Sequence, residues 1–308
     1  MDLSSINIYV LIASLMVSAT PILLAGIGEL VVEKSGVLNL GVEGMMITGA
    51  VCGFAIAVQS GNATLGFLAA AVGGALLSLI FGFLTQVLMS NQVATGLALT
   101  LFGLGLSALL GQGFIGVKGI DVNPVPLGPL ADLPGLGPML FRHDGMVYIS
   151  LAIVAAVWAV LRFTRAGLIL RATGENHTAA HALGYSVIRI RLAAIAFGGA
   201  CAGLGGAYLS IVRVPQWTEG MTAGAGWIAL ALVVFASWRP WRVLLGAYLF
   251  GGLTVLQLNL QAAGAKVPVE LLSMAPYLLT ILVLVLISTG RGVTGAPASL
   301  GARFHDSG

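Results

Sequence analysis

Charge is scarce in this sequence. Only 8% of its 308 residues are Asp, Glu, Lys or Arg, while 58% are hydrophobic and the mean hydropathy is +1.02. A soluble domain carries roughly a quarter charged residues, so there is too little charge here to coat a soluble globule of this size. Cysteine is nearly absent. Cys52 and Cys201 stand alone in apolar segments and offer neither a metal pair nor a disulfide framework. No Gly-Lys dipeptide occurs, which excludes the phosphate-cradling loop of P-loop ATPases. No nucleophile elbow, CxxC pair or dinucleotide-binding fingerprint in a strand-helix context occurs, which lowers the case for an enzyme. Only Asp2 and no basic residue precedes the first apolar run, and no small-residue cleavage site follows it. That run reads as a retained span and not as a signal peptide.

What the chain does have is apolar length. Runs near the ~20 residues needed to cross a bilayer recur from end to end. The expected fold class is all-α, a polytopic transmembrane helical bundle filling a single domain over residues 1–308. Spans are expected near residues 6–30, 37–59, 64–89, 92–114, 146–162, 192–212, 225–238, 243–262 and 274–289. The count is therefore about nine, within eight to ten, because "SGVLNLGVEG" and "MTAGAGW" are Gly-rich and mark two candidate broken or re-entrant helices. Arg162, Arg165, Arg171, Arg189 and Arg191 crowd the loop over residues 163–191 and its edges, Arg239 and Arg242 another loop, and Arg291 and Arg303 the tail. All fall on one side, which the positive-inside rule makes cytoplasmic. The N-terminus and the proline-rich loop 116–145 then face outward.

Within the basic loop, "RATGENHTAAHALGYSV" contains a short helix in outline: Asn176 as N-cap, Ala180 and Leu183 on one side, Gly184 as terminator. Ser186 can cap the helix that follows, with Arg189 and Arg191 at the interface. His177 and His181 are spaced i, i+4, but Thr178 stands where a zinc protease needs its general-base Glu, so two solvated histidines are the expectation. Gly199 with Gly203, and Ala202 with Gly206, form small-residue faces that permit close helix approach. Between Lys34 and Lys118 the only charged side chain is Glu43. An intramembrane carboxylate faces the bundle or a water path and is a functional candidate by default; the structural alternative is that it caps or bridges helices around the Gly-broken segment. Asn39, Gln86, Asn91 and Gln92 complete a polar set near the presumed interior, with Gln216, Trp217 and Glu219 toward the outer side.

Three segments, "SGVLNLGVEGMMITGA", "GENHTAAHALGYSVIRIRLAAIAFGGACAGLGGAYL" and "GMTAGAGWIALALVVFASWRP", together resemble the membrane-spanning permease subunits of bacterial ABC importers in the branched-chain amino acid, sugar and nucleoside superfamily. The resemblance runs over about residues 25–291. Ser35, Gly36, Asn39, Gly41, Glu43, Gly44 and Met45 fit the nucleoside-type, or simple-sugar-type, branch. Ala225 and Trp227 depart from it, standing where relatives commonly carry a basic residue and Phe. The resemblance implies a type II ABC importer-like bundle that is not itself an enzyme and carries no cofactor. It implies ATP and Mg on a separate ATPase subunit, with Glu175, Asn176, His177, Ala180, Leu183 and Gly184 forming the coupling helix seated in that subunit. It further implies a second permease subunit, a related heterodimer partner more than a copy of the same chain, and an external substrate-binding protein. The setting is the bacterial inner membrane and the solute a nucleoside or nucleobase-like molecule, with Asn39 and Glu43 shaping or gating the path and Trp217 stacking a ring. The alternatives are a permease for a simple sugar or branched-chain amino acid, an ion-coupled secondary transporter using Glu43, and an intramembrane enzyme.

Overall fold

The computed structural model describes residues 8–126, 128, 131, 136–262, 268, 274, 278, 281–282, 285 and 295–304. The helices are α1 (Ile8–Lys34), α2 (Val42–Ser60), α3 (Ala63–Gly82, prolonged by a π-helical turn, Phe83–Val87), α4 (Gln92–Gly111), α5 (Leu136–Leu140), α6 (Gly145–Phe163), α7 (Arg165–Glu175), α8 (His177–Ala182), α9 (Val187–Tyr208, prolonged by a second π turn, Leu209–Arg213), α10 (Ala225–Phe235) and α11 (Pro240–Ala262). A two-residue antiparallel ribbon pairs β1 (Val125–Pro126) with β2 (Arg142–His143). Among the described residues seven helices, α1, α2, α3, α4, α6, α9 and α11, are long and apolar enough to cross a membrane; α10 is apolar but too short. Of the expected span at 274–289 only residues 274, 278, 281–282 and 285 are described, each of them helical. Large apolar side chains such as Leu101 and Leu109 point outward from the bundle, as a surface solvated by lipid requires.

Helix starts are written locally. Asn62, Asn91, Asp144, Thr164 and Asn176 each accept a bond from a backbone N–H of the turn that follows, satisfying donors no helix can satisfy internally. Ser186 precedes α9 as expected, but its side chain makes no capping bond.

The core is organised on α9, whose glycines serve three neighbours. Gly198 and Gly205 approach α1 at Gly28 and Pro21, Gly206 approaches α2 at Met46, and Gly199 and Gly203 approach α3 at Gly74 and Ala70. Such contact lets backbone meet backbone and maximises dispersion where lipid supplies no hydrophobic drive. On the far side of α2, α4 closes over Gly44 and Gly103 in the same way.

Arg191, expected at the membrane interface, is enclosed by protein and 0% exposed. Loop 163–191 also holds more structure than expected, since α7 precedes the short α8.

Candidate functional site

The site grows from a break in the helical ladder. After Lys34 the chain leaves helical geometry and resumes it only at Val42, yet most of the intervening residues are buried. Backbone polar groups freed at such depth must find partners or cost several kcal/mol each. Here the partners are side chains of distant elements, one side chain of the segment itself and one distant backbone N–H. Leu38 N donates to Gln92 Oε1 at 2.8 Å, Thr100 Oγ1 donates to Leu40 O at 3.0 Å, and Gly41 N donates to Asn39 Oδ1 at 2.9 Å. Arg191 Nε donates to Ser35 O at 3.3 Å, and Gly301 N to Gly36 O at 3.1 Å. The Gly-rich stretch "SGVLNLG" is therefore an unwound segment enclosed by protein, as its composition suggests.

Glu43 lies just past this segment, in the first turn of α2, and is 5% exposed. Its Oε1 accepts from Thr222 Oγ1 at 2.5 Å and Gly224 N at 3.0 Å, and its Oε2 accepts from Gly226 N at 2.7 Å. The carboxylate thus caps α10, a half-length helix whose N-terminus ends inside the bundle. Gly224 enters α10 at φ +85°, a conformation that a side chain would strain. Two helix N-termini, those of α2 and α10, converge on one negative charge, and their partial positive charges stabilise it. The second Gly-rich stretch, "MTAGAGW", is the turn that makes this break. Ala225, one of the departures from the nucleoside-type pattern, is the first residue of α10.

The other polar residues separate into groups. Asn39 Nδ2 donates to Glu29 Oε2 at 3.3 Å. Gln86, in the π turn, accepts from Arg191 Nη1 at 3.2 Å. Gln92 faces the unwound segment. Asn91 is exposed and caps α4, and Gln216 and Glu219 are exposed in the loop after α9; the structure does not bring these three to Glu43. Trp217 is 1% exposed, packed with Ile47, Val51 and Phe54 and covering Gly111. A ring stacked on it would first have to displace those residues.

Two carboxylates escaped the sequence reading. Glu29 and Glu33 are both buried on α1, Glu33 accepting from Trp238 Nε1. Their i, i+4 spacing in "GELVVEK" places them on one helix face, and that was the available signal; ending the first span at residue 30 hid it.

At the arginine-rich end, Asn176 Oδ1 caps α8 by accepting from Ala179 N at 2.9 Å, and Gly184 ends the turn at φ +86°. Ala180 is buried, whereas Leu183 is 75% exposed at the tip. Glu175 closes α7, and its Oε2 accepts from Ala298 N at 3.3 Å. The expectation of two solvated histidines holds for His181, which is exposed, and is corrected for His177, which is half-buried. His177 and His181 pack edge-on against Phe304, with centroids 5.5 and 5.2 Å away. Burial and the charge of Arg191 hold the His177 imidazole below its usual pKa of 6.5.

Phe304 belongs to residues 295–304, which had not been assigned to the site. Ser299 N donates to Gly174 O at 2.9 Å, Gly301 N to Gly36 O, and Ala302 O accepts from Arg191 Nη1 at 3.1 Å. This segment ties α8 to the unwound stretch, and Arg191 is the shared donor. Replacing Arg191 with lysine keeps the charge but loses the planar fork, so not all of Ser35 O, Gln86 Oε1 and Ala302 O can be reached. The expected cost is about 1–2 kcal/mol, seen as a lower melting temperature in detergent and faster amide exchange at Ser299 and Gly301.

A family model described as the branched-chain amino acid transport system permease component matches residues 11–286. The chain is 42% identical to the putative glucose ABC transporter permease protein TsgC13 of Haloferax volcanii, over 87% of this chain and 88% of the relative. It is 32% identical to the nucleoside ABC transporter permease protein NupC of Lactococcus lactis, over 98% of each chain. It is 31% identical to the guanosine ABC transporter permease protein NupQ of Bacillus subtilis, over 89% of this chain and 91% of the relative.

Proposed function

We propose, from the premise that the chain belongs to the branched-chain amino acid transport system permease family, that its transported solute is a nucleoside or nucleobase-like molecule. The chain is a multi-pass membrane protein and a permease component of an ABC transporter, a transport subunit whose ATPase is a separate chain. Two observations support the nucleoside reading: the residue pattern from Ser35 to Met45, and the nucleoside and guanosine permeases among its relatives. A simple-sugar solute is the second reading, favoured by the 42% identity to a putative glucose permease.

In this reading the arginine-rich end is cytoplasmic, the N-terminus external and the membrane the bacterial inner membrane. ATP and Mg act on the ATPase subunit, an external binding protein delivers solute, and a related second permease chain completes the pathway. The observation that carries the coupling to an ATPase is the capped stub α8, which offers Leu183 outward while its inner side packs on Phe304. Displacing α8 pulls on residues 295–304 and Arg191, and through them on the unwound segment beside Glu43. ATP can drive such a displacement only by favouring one of two states of the bundle. Asn39 and Glu43 then shape the path by holding the ends of two broken helices.

The test is co-purification with candidate ATPase and binding-protein partners, followed by ATPase stimulation across nucleosides, nucleobases, pentoses, glucose and branched-chain amino acids. Stimulation by nucleosides supports the assignment; stimulation by glucose or pentoses alone moves it to the sugar reading. Leu183→Asp places a charge at the exposed tip and is expected to weaken ATPase co-purification about tenfold or more. Its melting temperature should not change, because the side chain touches little of its own fold.

A further inference from the structure

Beside the arginine-rich end lies a cavity of about 910 Å³. Five cationic side chains line it: Lys34 from α1, Arg162 from α6, Arg171 from α7, and Arg239 and Arg242 at the start of α11. Among the described residues none of the five is in an ion pair. Their contacts are to neutral groups: Lys34 Nζ donates to Gly295 O at 2.8 Å, Arg242 Nη1 to Ser237 Oγ at 3.4 Å, and the Arg162 guanidinium lies 5.9 Å from the Phe163 ring centroid. Glu33 and Glu175 lie close enough to Lys34 to offset part of its charge, but neither lines the cavity, and five like charges in a lining without a carboxylate favour an anion that joins them.

Two further features say which anion. Trp158 and Trp241 stand at the same cavity, with ring centroids 5.9 Å apart, and tryptophan concentrates at the headgroup level of membranes. Next to it runs a groove of about 320 Å³ whose wall is almost wholly apolar, formed by Val157, Val160, Leu161, Leu170 and Phe197 among others. Leu161 lines both, so a cationic chamber adjoins an apolar one. A soluble phosphate has no use for the groove, and an acidic protein surface would not fill it. A molecule with a phosphate at one end and a hydrocarbon chain at the other satisfies both.

We propose that these adjoining chambers form a binding site for one anionic phospholipid, its phosphate among Lys34, Arg162, Arg171, Arg239 and Arg242 and one acyl chain along Leu161 and Phe197. The site sits between α1, α6, α7 and α11, so an occupant braces the end of α1, which leads into the unwound segment. The location at the cytoplasmic leaflet rests on the orientation proposed above. Binding in detergent is blind to orientation, so the two can fail separately.

The test titrates the purified full-length chain with dioleoylphosphatidylglycerol and with dioleoylphosphatidylcholine, reading occupancy by native mass spectrometry. Phosphatidylglycerol is expected to bind more tightly. Each arginine removed should weaken it about fivefold, so Arg239→Gln with Arg242→Gln should weaken it about twenty-five-fold. Arg189→Gln with Arg303→Gln, equal in charge but outside the cavity, should leave it unchanged. Ala156→Trp blocks the groove without touching the cations and should also lower phosphatidylglycerol binding; its position is exposed, so it tests the site even where the arginine variants fold poorly. The proposal is overturned by a preference that survives both the paired arginine variant and Ala156→Trp. It is overturned equally by inorganic phosphate at millimolar concentration displacing the lipid, which marks a soluble-anion site, or by the arginine variants losing the ATPase partner while lipid binding stays intact, which marks a protein-docking surface.

Discussion

Replacing Glu43 with alanine is expected to lower stability by roughly 3–6 kcal/mol and to abolish uptake. The carboxylate accepts three bonds, from Thr222 Oγ1, Gly224 N and Gly226 N, all in a site that is 5% exposed. Alanine removes every acceptor at once, and each buried donor left unpaired costs about 1–3 kcal/mol. The N-terminus of α10 loses its countercharge as well. Glutamine is the sharper probe. It has the same shape but only one acceptor oxygen, so either orientation of its amide sets an N–H against the N–H of Gly224 or Gly226. Thr222 alone can adapt, because its hydroxyl accepts as well as donates. Glu43→Gln should therefore lower the melting temperature measurably, by less than alanine does. Thermal melts in detergent, with uptake measured in parallel, separate the two roles open to Glu43. A parallel fall in stability and transport makes it a helix cap. Lost transport at an unchanged melting temperature makes it a gate, and normal values of both remove it from the pathway.

The second large effect is expected in the seam between α9 and α2. A Cβ added at Gly206 would lie 1.8 Å from Met46 O and 2.7 Å from Met46 C. Those are backbone atoms, so no rotamer change relieves the overlap and the two helices must separate. Separation also loosens the nearby contact between Gly49 and Gly203, where a Cβ on Gly49 would sit 2.2 Å from Gly203 Cα. Overpacking of a dense core costs about 1–3 kcal/mol and sometimes more; Gly206→Val belongs at or above the upper end of that range. The expected result is loss of the monodisperse peak in size-exclusion chromatography of the solubilised protein. Gly105→Ala is the control. It too replaces a helical glycine, but a Cβ there meets nothing within 4 Å, and its profile should match the unsubstituted chain.

Much of this molecule was legible before any coordinates. Apolar runs lie where α1, α2, α3, α4, α6, α9 and α11 form, since hydropathy is a property that each stretch carries by itself. Asn176 and Gly184 announced α8 for the same reason: a cap bonds to its own next turn. The two Gly-rich interruptions were visible as departures from helical composition. Residues that act at long range were not. Arg191 looks like one more arginine in a basic loop, and nothing local says that it reaches Ser35, Gln86 and Ala302. Phe304 gave no sign that it would cover His177 and His181.

The division has a physical cause. A lipid-crossing bundle, its helix starts and its crowding of arginine at one end follow from free energies that add residue by residue along the chain, so the order of side chains alone determines them. Whether the carboxylate of Glu43 is open to a solute or satisfied by donors lies outside that sum. Its partners Thr222, Gly224 and Gly226 are 179, 181 and 183 residues away. They reach it because Gly226 lets the backbone of α10 close on α2, as Gly44 and Gly103 do for α4. That closure is a property of the packed bundle, and only the tertiary structure decides it.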